Sequence, residues 1–292
     1  MLHSDWKCEC LSPAKLNITL DVSQPDATGF HPLDSIAVKL NLSDEMAFAV
    51  RSGPRCVRLI LKDKRPNAIA HPAIPRDERN LVVRAAQRLL DLKPDFDATL
   101  WVTLIKNIPS EAGLGAGSSN AAMTIKMFGD YLRIPTAEQH KIAGEIGSDV
   151  ALFLHDTPIR MQHYGEVITP ISLSGMLEGV VIRPASGMST PLAYRTLDAD
   201  AARFPGTTTA DIVARGALTH ECLSNDFEGV VRNLNPDVDR LFSTLKALGV
   251  LRVQLCGSGS AVFAVTETRA DSVRIVKALS GDVPYMKLVS TQ

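Results

Sequence analysis

"IPSEAGLGAGSSNAAMTIKMF", residues 108–128, sets alternating glycines and a pair of serines between two apolar segments. Gly113, Gly115 and Gly117 open backbone conformations closed to other residues and let a ligand approach the bare chain. The preceding stretch "ATLWVTLI" (98–105) is rich in β-branched and aromatic residues and has the length of a strand. After the glycines, Ala121, Ala122, Ile125, Phe128 and Leu132 recur at helical spacing. Strand, glycine loop and helix start together present backbone N–H groups and a positive helix end to an anion, most often a phosphate. A tight turn of small residues is the alternative reading.

The two common phosphate-loop templates do not fit. A Walker A loop requires Gly-Lys-Ser/Thr opening the helix, and no lysine stands there. The dinucleotide fingerprint requires a third glycine at position 118, which is Ser118. Ser118, Ser119 and Asn120 are small polar residues at a helix start, able to cap it or to reach an anion, which favours phosphate binding.

Composition bounds the rest. A chain of 292 residues suggests about two domains. With 45% apolar and 22% charged residues it has the balance of a globular protein. The net charge of −1 gives no basic field for nucleic acid or an anionic membrane surface. No apolar run reaches membrane-spanning length, and "MLHSDWKCEC" has no basic segment followed by an apolar one, so a bacterial cytoplasmic setting is expected. Five dispersed cysteines fit a reducing compartment. Cys8 and Cys10 share one side of a strand, but no second Cys or His pair stands at ligand spacing.

Along the chain, "KCECLSPAKLNITLDV" alternates as a strand broken at Pro13 and continuing from Leu16. "RNLVVRAAQRLLDL" (79–92) reads as a helix capped by Asn80, with Leu81, Ala85, Leu89 and Leu92 on one face. Thr136 with Gln139 forms a capping-box pattern for "AEQHKIAGEI", which Gly147 ends. Ser148 is then placed to cap a short helix carrying Asp149 and "VALFL". The chain turns polar around 155–165, which sets a domain boundary giving domains 1–157 and 158–292. The second half offers a strand at "GVVIRP", helices at "TPLAYRTLDADAA", "NDFEGVVRNL" and "DVDRLFSTLKALG", then strand–loop–strand at "RVQLCGSGSAVFAV", a helix and a last strand. Helices and strands mix in both halves, so the class is α+β or α/β.

Four further clusters carry chemistry. Lys15 in "SPAKLN" is either a solvated strand end or a functional cation within an apolar strand. Asp149 is a helix-capping carboxylate or a base. "TGFHPL" sets Phe30 beside His31 in a turn, and "CGSGSAVF" is a second glycine loop or a plain hairpin. Cys256 lacks a His/Asn partner pattern and reads as a buried strand residue rather than a nucleophile.

Taken in order, "SPAKLNITL", "TGFHPLDS", "RNLVVRAA", "KNIPSEAGLGAGSSNAA", "IGSDVALF", "LSNDFEGVV" and "CGSGSAVFAV" resemble the GHMP-type small-molecule kinases from about residue 12 to the end. "PAKLN" with the glycine-aromatic-His turn is similar to the branch that phosphorylates a diphosphocytidyl-linked methylerythritol in non-mevalonate isoprenoid synthesis. The resemblance implies two α+β domains with the active site in the cleft between them. It implies that Pro109, Gly113, Leu114, Gly115, Ala116, Gly117, Ser118, Ser119 and Asn120 wrap the ATP phosphates, with Asn80, Leu81 and Lys106 on the adenosine side. It implies Asp149 as catalytic base with Lys15 beside it. Asn17, Phe30, His31, Thr190 and Tyr194 fall on the side of a substrate bearing cytidine diphosphate, Phe30 and Tyr194 sandwiching the base. Gly257, Ser258 and Gly259 border the cleft. ATP is the implied co-substrate and Mg²⁺ the expected ion, with no ligand assigned beyond Ser118 or Ser119.

The chain departs from that family's usual pattern at four places: Glu111 where glycine or a small residue is usual, Ala116 for glycine, Ala151 for proline and Phe30 for tyrosine. Ala116 is tolerable if its φ is negative, and ring stacking survives the loss of the phenolic hydroxyl. A GHMP kinase for a homoserine- or mevalonate-like alcohol has no need of the Phe30–Tyr194 pair. A non-catalytic nucleotide-binding module has no need of both Lys15 and Asp149.

Overall fold

The longest strands, β1 (Lys7–Val22) and β2 (Leu33–Arg51), pair antiparallel from Lys7 opposite Ala49 to Val22 opposite Leu33. Pro13 does not end the strand as its ring suggested. The ladder shifts register between Pro13 and Lys15 instead, where proline lacks the N–H it would need. This computed structural model describes residues 6–66, 69, 72–199 and 208–292.

After β2 come β3 (Cys56–Asp63), α1 (Leu81–Asp91), β4 (Thr99–Lys106), α2 (Ala116–Tyr131) and α3 (Thr136–Ile146). Then follow a 3-10 turn (Ala151–Leu154), β5 (Ile159–His163), β6 (Val167–Pro170), β7 (Glu178–Arg183), α4 (Thr190–Asp198) and α5 (Thr208–Arg215). The chain closes with β8 (Ser224–Asn225), α6 (Phe227–Leu234), α7 (Pro236–Ala247), β9 (Arg252–Leu255), β10 (Val262–Thr266), α8 (Arg269–Ala278) and β11 (Tyr285–Ser290). The expected helix over 190–202 is α4 as far as Asp198, and residues 200–202 lie outside the described ones.

The first sheet runs β3-β4-β2-β1-β8, with β5 also on β2 and β6 on β5. The second is antiparallel, β11-β7-β10-β9. Helices α1, α2 and α3 cover one face of the first sheet, where Phe48, Leu89, Leu100 and Phe128 form the core. Helices α4, α6, α7 and α8 pack on the second. A third core joins the two sheets, meeting Leu16 and Leu40 of the first with Val181 and Phe263 of the second. This mixed α+β architecture agrees with the expected class. No helix among the described residues is long and apolar enough to cross a membrane.

Several local expectations are corrected. The Thr136–Gln139 capping box does not form: Pro135 occupies the cap, and the buried Gln139 amide donates to the Ile134 carbonyl and to Asp130, each at 3.0 Å. Ser148 is exposed and caps nothing, since the following turn starts from Val150. Leu92 lies past the last turn of α1 and is exposed, whereas Val82, Ala86 and Leu90 join Ala85 and Leu89 inside. Asn80 does cap α1, accepting from Val82 N at 3.0 Å. Cys8 and Cys10 pack against the helix-side core, and burial pushes both thiols up to about 11. Cys256 is fully buried in the inter-sheet core and its thiol is pushed up to about 12.

Candidate active site

The glycine loop is a two-residue alternation. Ala112, Leu114 and Ala116 are buried in the inter-sheet core, while the alternating Gly113 and Gly115 are half-buried and Gly117 is exposed. Burying Leu114 alone contributes roughly 1.5–3 kcal/mol, enough to hold the loop in place while its backbone faces the open side. Gly113 and Gly115 have φ of 72° and 67°. A Cβ at Gly115 would lie 2.9 Å from Lys15 Cγ and 3.0 Å from the Phe153 ring. A Cβ at Gly113 would overlap the Cys256 carbonyl oxygen and lie 2.6 Å from its carbon. A Cβ on Gly257 would lie 2.9 Å from the Gly113 carbonyl oxygen, so the two glycine loops touch backbone to backbone. Lys15 N donates to the Leu114 carbonyl at 2.9 Å, tying the first loop to β1, and Ser260 N to the Glu111 carbonyl at 3.2 Å, tying the second loop to the first.

Helix α2 starts directly from Gly115, and no side chain caps it. Its first N–H groups therefore have no intrahelical or side-chain acceptor and carry the positive end of the helix dipole. Of the three polar residues expected there, Ser118 lines the open space on both sides of the loop and Asn120 on one, while Ser119 does not. Ser119 is fully buried on Ser12 at 2.8 Å, and the buried Asn120 amide bonds Ser12 at 2.8 Å and Asp44 at 3.0 Å. Ala116 takes a helical φ, so its methyl is accommodated. Glu111 does not: its φ is 53°, the left-handed region that a glycine would occupy freely.

Two cavities flank this loop. The smaller, about 350 Å³, is lined by Asn80, Leu81, Lys106, Pro109, Gly117 and Asn120 among others. The larger, about 690 Å³, is lined by Lys15, Asn17, Asp149, Thr190, Tyr194 and the second glycine loop Gly257–Gly259. Glu111, Gly113, Gly115 and Ser118 line both and form the wall between them. Residues drawn from β1, α2, the turn after α3, α4 and the β9–β10 loop thus converge on one pair of connected spaces.

Side-chain partners differ in places from those the sequence suggested. Lys15 is no solvated strand end: it is 6% exposed and its ammonium donates to Asn17 Oδ1 rather than pairing with Asp149. Asn17 in turn donates to Ser35 Oγ at 2.8 Å. Lys106, expected toward adenosine, ends in a buried ion pair with Asp44 and donates to Asn120 Oδ1 at 3.2 Å. Burial pulls its ammonium below the ordinary lysine range while Asp44 pulls it back. Asp44 also accepts from Asn107 N and Ile108 N at 2.7 and 2.9 Å. The Asn80 amide donates to the Pro75 carbonyl at 2.7 Å, so its side chain shapes the small cavity rather than offering a free donor.

The aromatic residues also take other neighbours. Phe30, 65% exposed, packs on Tyr164 with ring centroids 5.8 Å apart. Tyr194 packs on His31 at 4.9 Å and on Phe227 at 4.8 Å. His31 Nε2 meets Asp198 Oδ1 at 2.5 Å, and Thr190 Oγ1 lies 2.6 Å from Ser258 Oγ. Tyr164 was not anticipated. It stands in the polar stretch read as a boundary, lines the larger cavity, and donates its hydroxyl to Asp26. The glycine-turn signal Gly165 that follows it was the only local hint.

Comparison with known proteins accords with this geometry. The GHMP kinases N terminal domain matches residues 80–157 and the GHMP kinases C terminal domain residues 207–284. The 4-diphosphocytidyl-2-C-methyl-D-erythritol kinase of Shouchella clausii is 30% identical over 290 residues, spanning 96% of this chain and 94% of that protein. That of Polaromonas naphthalenivorans is 32% identical over 268 residues, 89% and 86% of the two chains. A crystal structure of 4-(cytidine 5'-diphospho)-2C-methyl-D-erythritol kinase superposes with a TM-score of 0.78 at 27% identity, covering 97% of this chain and 99% of that one. Homoserine kinase from Cytophaga hutchinsonii shares the fold, with a TM-score of 0.73 at 16% identity over 98% and 94% of the chains. By both domain matches and by these relatives, the chain belongs to the GHMP kinases and, within them, to the 4-diphosphocytidyl-2-C-methyl-D-erythritol kinase family.

Proposed function

We propose that this chain transfers the γ-phosphoryl group of ATP to the hydroxyl of 4-diphosphocytidyl-2-C-methyl-D-erythritol, a step of non-mevalonate isoprenoid precursor synthesis. The observation that carries this reading is the pair of adjoining cavities with one glycine-loop wall. A nucleotide in the smaller space would present its phosphates to the start of α2, and an alcohol in the larger would meet them at Ser118. The adenosine lies along Asn80 and Leu81, with Lys106 shaping the wall from behind through Asp44. The triphosphate runs along Pro109–Asn120, held by backbone N–H groups instead of a Walker lysine.

An alcohol is a poor nucleophile at neutral pH, and a carboxylate within hydrogen-bond reach takes its proton as it attacks phosphorus. Asp149 serves as that base, supported by its place on the wall of the same cavity as Lys15. The Lys15 ammonium offsets charge developing on the phosphoryl oxygens. Asn17, Thr190 and the Gly257–Gly259 loop hold the alcohol and its diphosphate, and Phe30, His31 and Tyr194, with Tyr164 added, form the cytosine end. Among the described residues no group of three ligating side chains could hold a metal by itself. The donor set fits an ion that arrives with the nucleotide, with Ser118 as the hydroxyl donor, since Ser119 is committed to Ser12. Mg²⁺ there would neutralise phosphate charge.

The test is ATP turnover with the cytidine-diphosphate substrate against homoserine, mevalonate and simple polyols, with cytidine and uridine diphosphates as competitors. Turnover confined to the cytidine-linked alcohol, with the cytidine competitor the stronger, is expected. Equal inhibition by the two diphosphates, or by neither, removes the cytosine pocket.

A further inference from the structure

Arg183, the last residue of β7, is fully buried yet uses only part of its guanidinium. Nη1 donates to the carbonyls of Pro184 and Ala185 at 3.0 and 3.3 Å, while Nε and Nη2 have no hydrogen-bond partner among the described residues. Those two nitrogens form the edge that grips a carboxylate with two parallel bonds. The carboxylate beside it belongs to Glu111. Glu111 Oε2 and Arg183 Nη2 stand 2.9 and 3.4 Å from the point a Cβ on Gly187 would occupy, so only a glycine there leaves the space between them open. Burial pulls the guanidinium below the ordinary arginine range, and the Glu111 charge opposes that pull. The neighbouring Arg65 is already engaged, with Asp63 at 2.6 Å and Ser110 at 2.5 Å.

Glu111 also stands where a negative charge is least welcome, on the wall shared by both cavities. We propose that Glu111 is the counter-charge of the buried Arg183, facing it at rest across the space Gly187 leaves open and docking its carboxylate on the free Nε/Nη2 edge when a triphosphate enters. The two act as a positioning pair that draws negative charge out of the phosphate path and ties the first glycine loop to the second sheet. The proposal rests on the ATP-kinase reading above. The driving force is electrostatic: phosphate oxygens repel Glu111 toward a buried, unfilled donor edge, where charge pairing is stronger than in water.

Four proteins decide it: wild type, Glu111→Gln, Arg183→Met and the double variant, each titrated with β,γ-imido-ATP by calorimetry and unfolded in urea. Arg183→Met should weaken binding of the analogue roughly 5- to 15-fold, the effect of one uncompensated charge about 10 Å from a phosphate charge at an effective dielectric of about 20–40. The double variant should return to within about twofold of wild type, a rescue that a merely structural arginine would not give. Equal losses in the single and double variants overturn the pairing. Should Arg183→Met not fold, Glu111→Gln decides alone, because it changes only an exposed loop side chain. It should bind the analogue at least as well as wild type and lower the urea midpoint, having left Arg183 buried without a counter-charge. An unchanged midpoint overturns the proposal. A wild type that bound no analogue would sink the kinase reading, and the urea comparison would still decide the pair.

Discussion

Gly113→Ala and Gly117→Ala add the same methyl group four residues apart, and the structure gives them opposite effects on stability. At Gly113 the φ is 72° and the new Cβ would overlap the Cys256 carbonyl, with Gly257 N at 3.2 Å. The left-handed conformation costs about 1–2 kcal/mol for an alanine. Forcing two backbone segments apart resembles overpacking, about 1–3 kcal/mol more, for a loss of about 2–5 kcal/mol. Gly117 lies in the first turn of α2, with nothing within 4 Å of its would-be Cβ, so alanine should stabilise the helix by about 0.5–1 kcal/mol. The methyl would enter open space in the smaller cavity, where the nucleotide is proposed to lie, so ATP affinity should fall although the fold gains. Urea unfolding with linear extrapolation reads the first quantity and analogue titration the second. At Gly113 both substrates should bind more weakly, because the methyl separates the two glycine loops. A Gly113→Ala protein within about 0.5 kcal/mol of wild type would refute the backbone contact between those loops.

Asp149→Asn should keep analogue binding near wild type while turnover falls roughly 10²–10⁴-fold, and a variant retaining most of its turnover would remove Asp149 as the base. Lys106→Met should cost about 3–5 kcal/mol in urea, because it leaves the fully buried Asp44 without its cation. A small stability loss with a large loss of ATP affinity would instead make Lys106 a direct nucleotide contact. The hydrogen bonds from Thr28 and Tyr164 hold the Asp26 carboxyl down at about 2, so whatever it contributes to the Phe30 turn is complete above the unfolded value near 4. That contribution is lost only as pH falls from about 4 toward 2. In an NMR titration Tyr164→Phe should move the Asp26 midpoint upward, and an unmoved midpoint would exclude the Tyr164 bond.

What the sequence made legible was local. The alternating glycines could be read, but not that Leu114 and Ala116, expected at the phosphates, would point with Ala112 into the inter-sheet core. The Asn80 cap and the strand–loop–helix order could be read as well. What it hid were choices of partner. Lys106 meets Asp44 across 62 positions, His31 meets Asp198 across 167, and Phe30 meets Tyr164 rather than Tyr194. Periodicity tells which face of an element is buried and is silent on what lies opposite. Even local rules yielded where a stronger one competed: the Thr136 capping pattern lost to Pro135, whose fixed φ already starts the helix. Helix α5 and strand β3 were not anticipated, although Val57, Leu59 and Leu61 alternate and pack toward the core.

Why the proposed phosphate loop can dispense with the Walker lysine follows from where the lysines of this site are. Lys106 is paired with Asp44, and Lys15 reaches in from β1 on the wall of the larger cavity with one N–H on Asn17, so neither stands in the Walker position that opens α2. Lys106 acts one layer further back. Through Asp44 and Asn120 it joins the end of β4 to the second turn of α2, and Ser12 and Ser119 extend the same network to β1. Each member is buried and hydrogen-bonded, and such a network is rigid because any displacement leaves a polar group unpaired. Rigidity is what a loop of backbone donors needs. A lysine can follow a phosphate with its flexible stem, but N–H groups bind only where the chain already holds them. Here the buried alternation from Ala112 to Ala116 fixes the loop from below and the polar network fixes the helix from beside. On the proposed reading, the triphosphate can then be held by uncapped backbone in place of a Walker lysine.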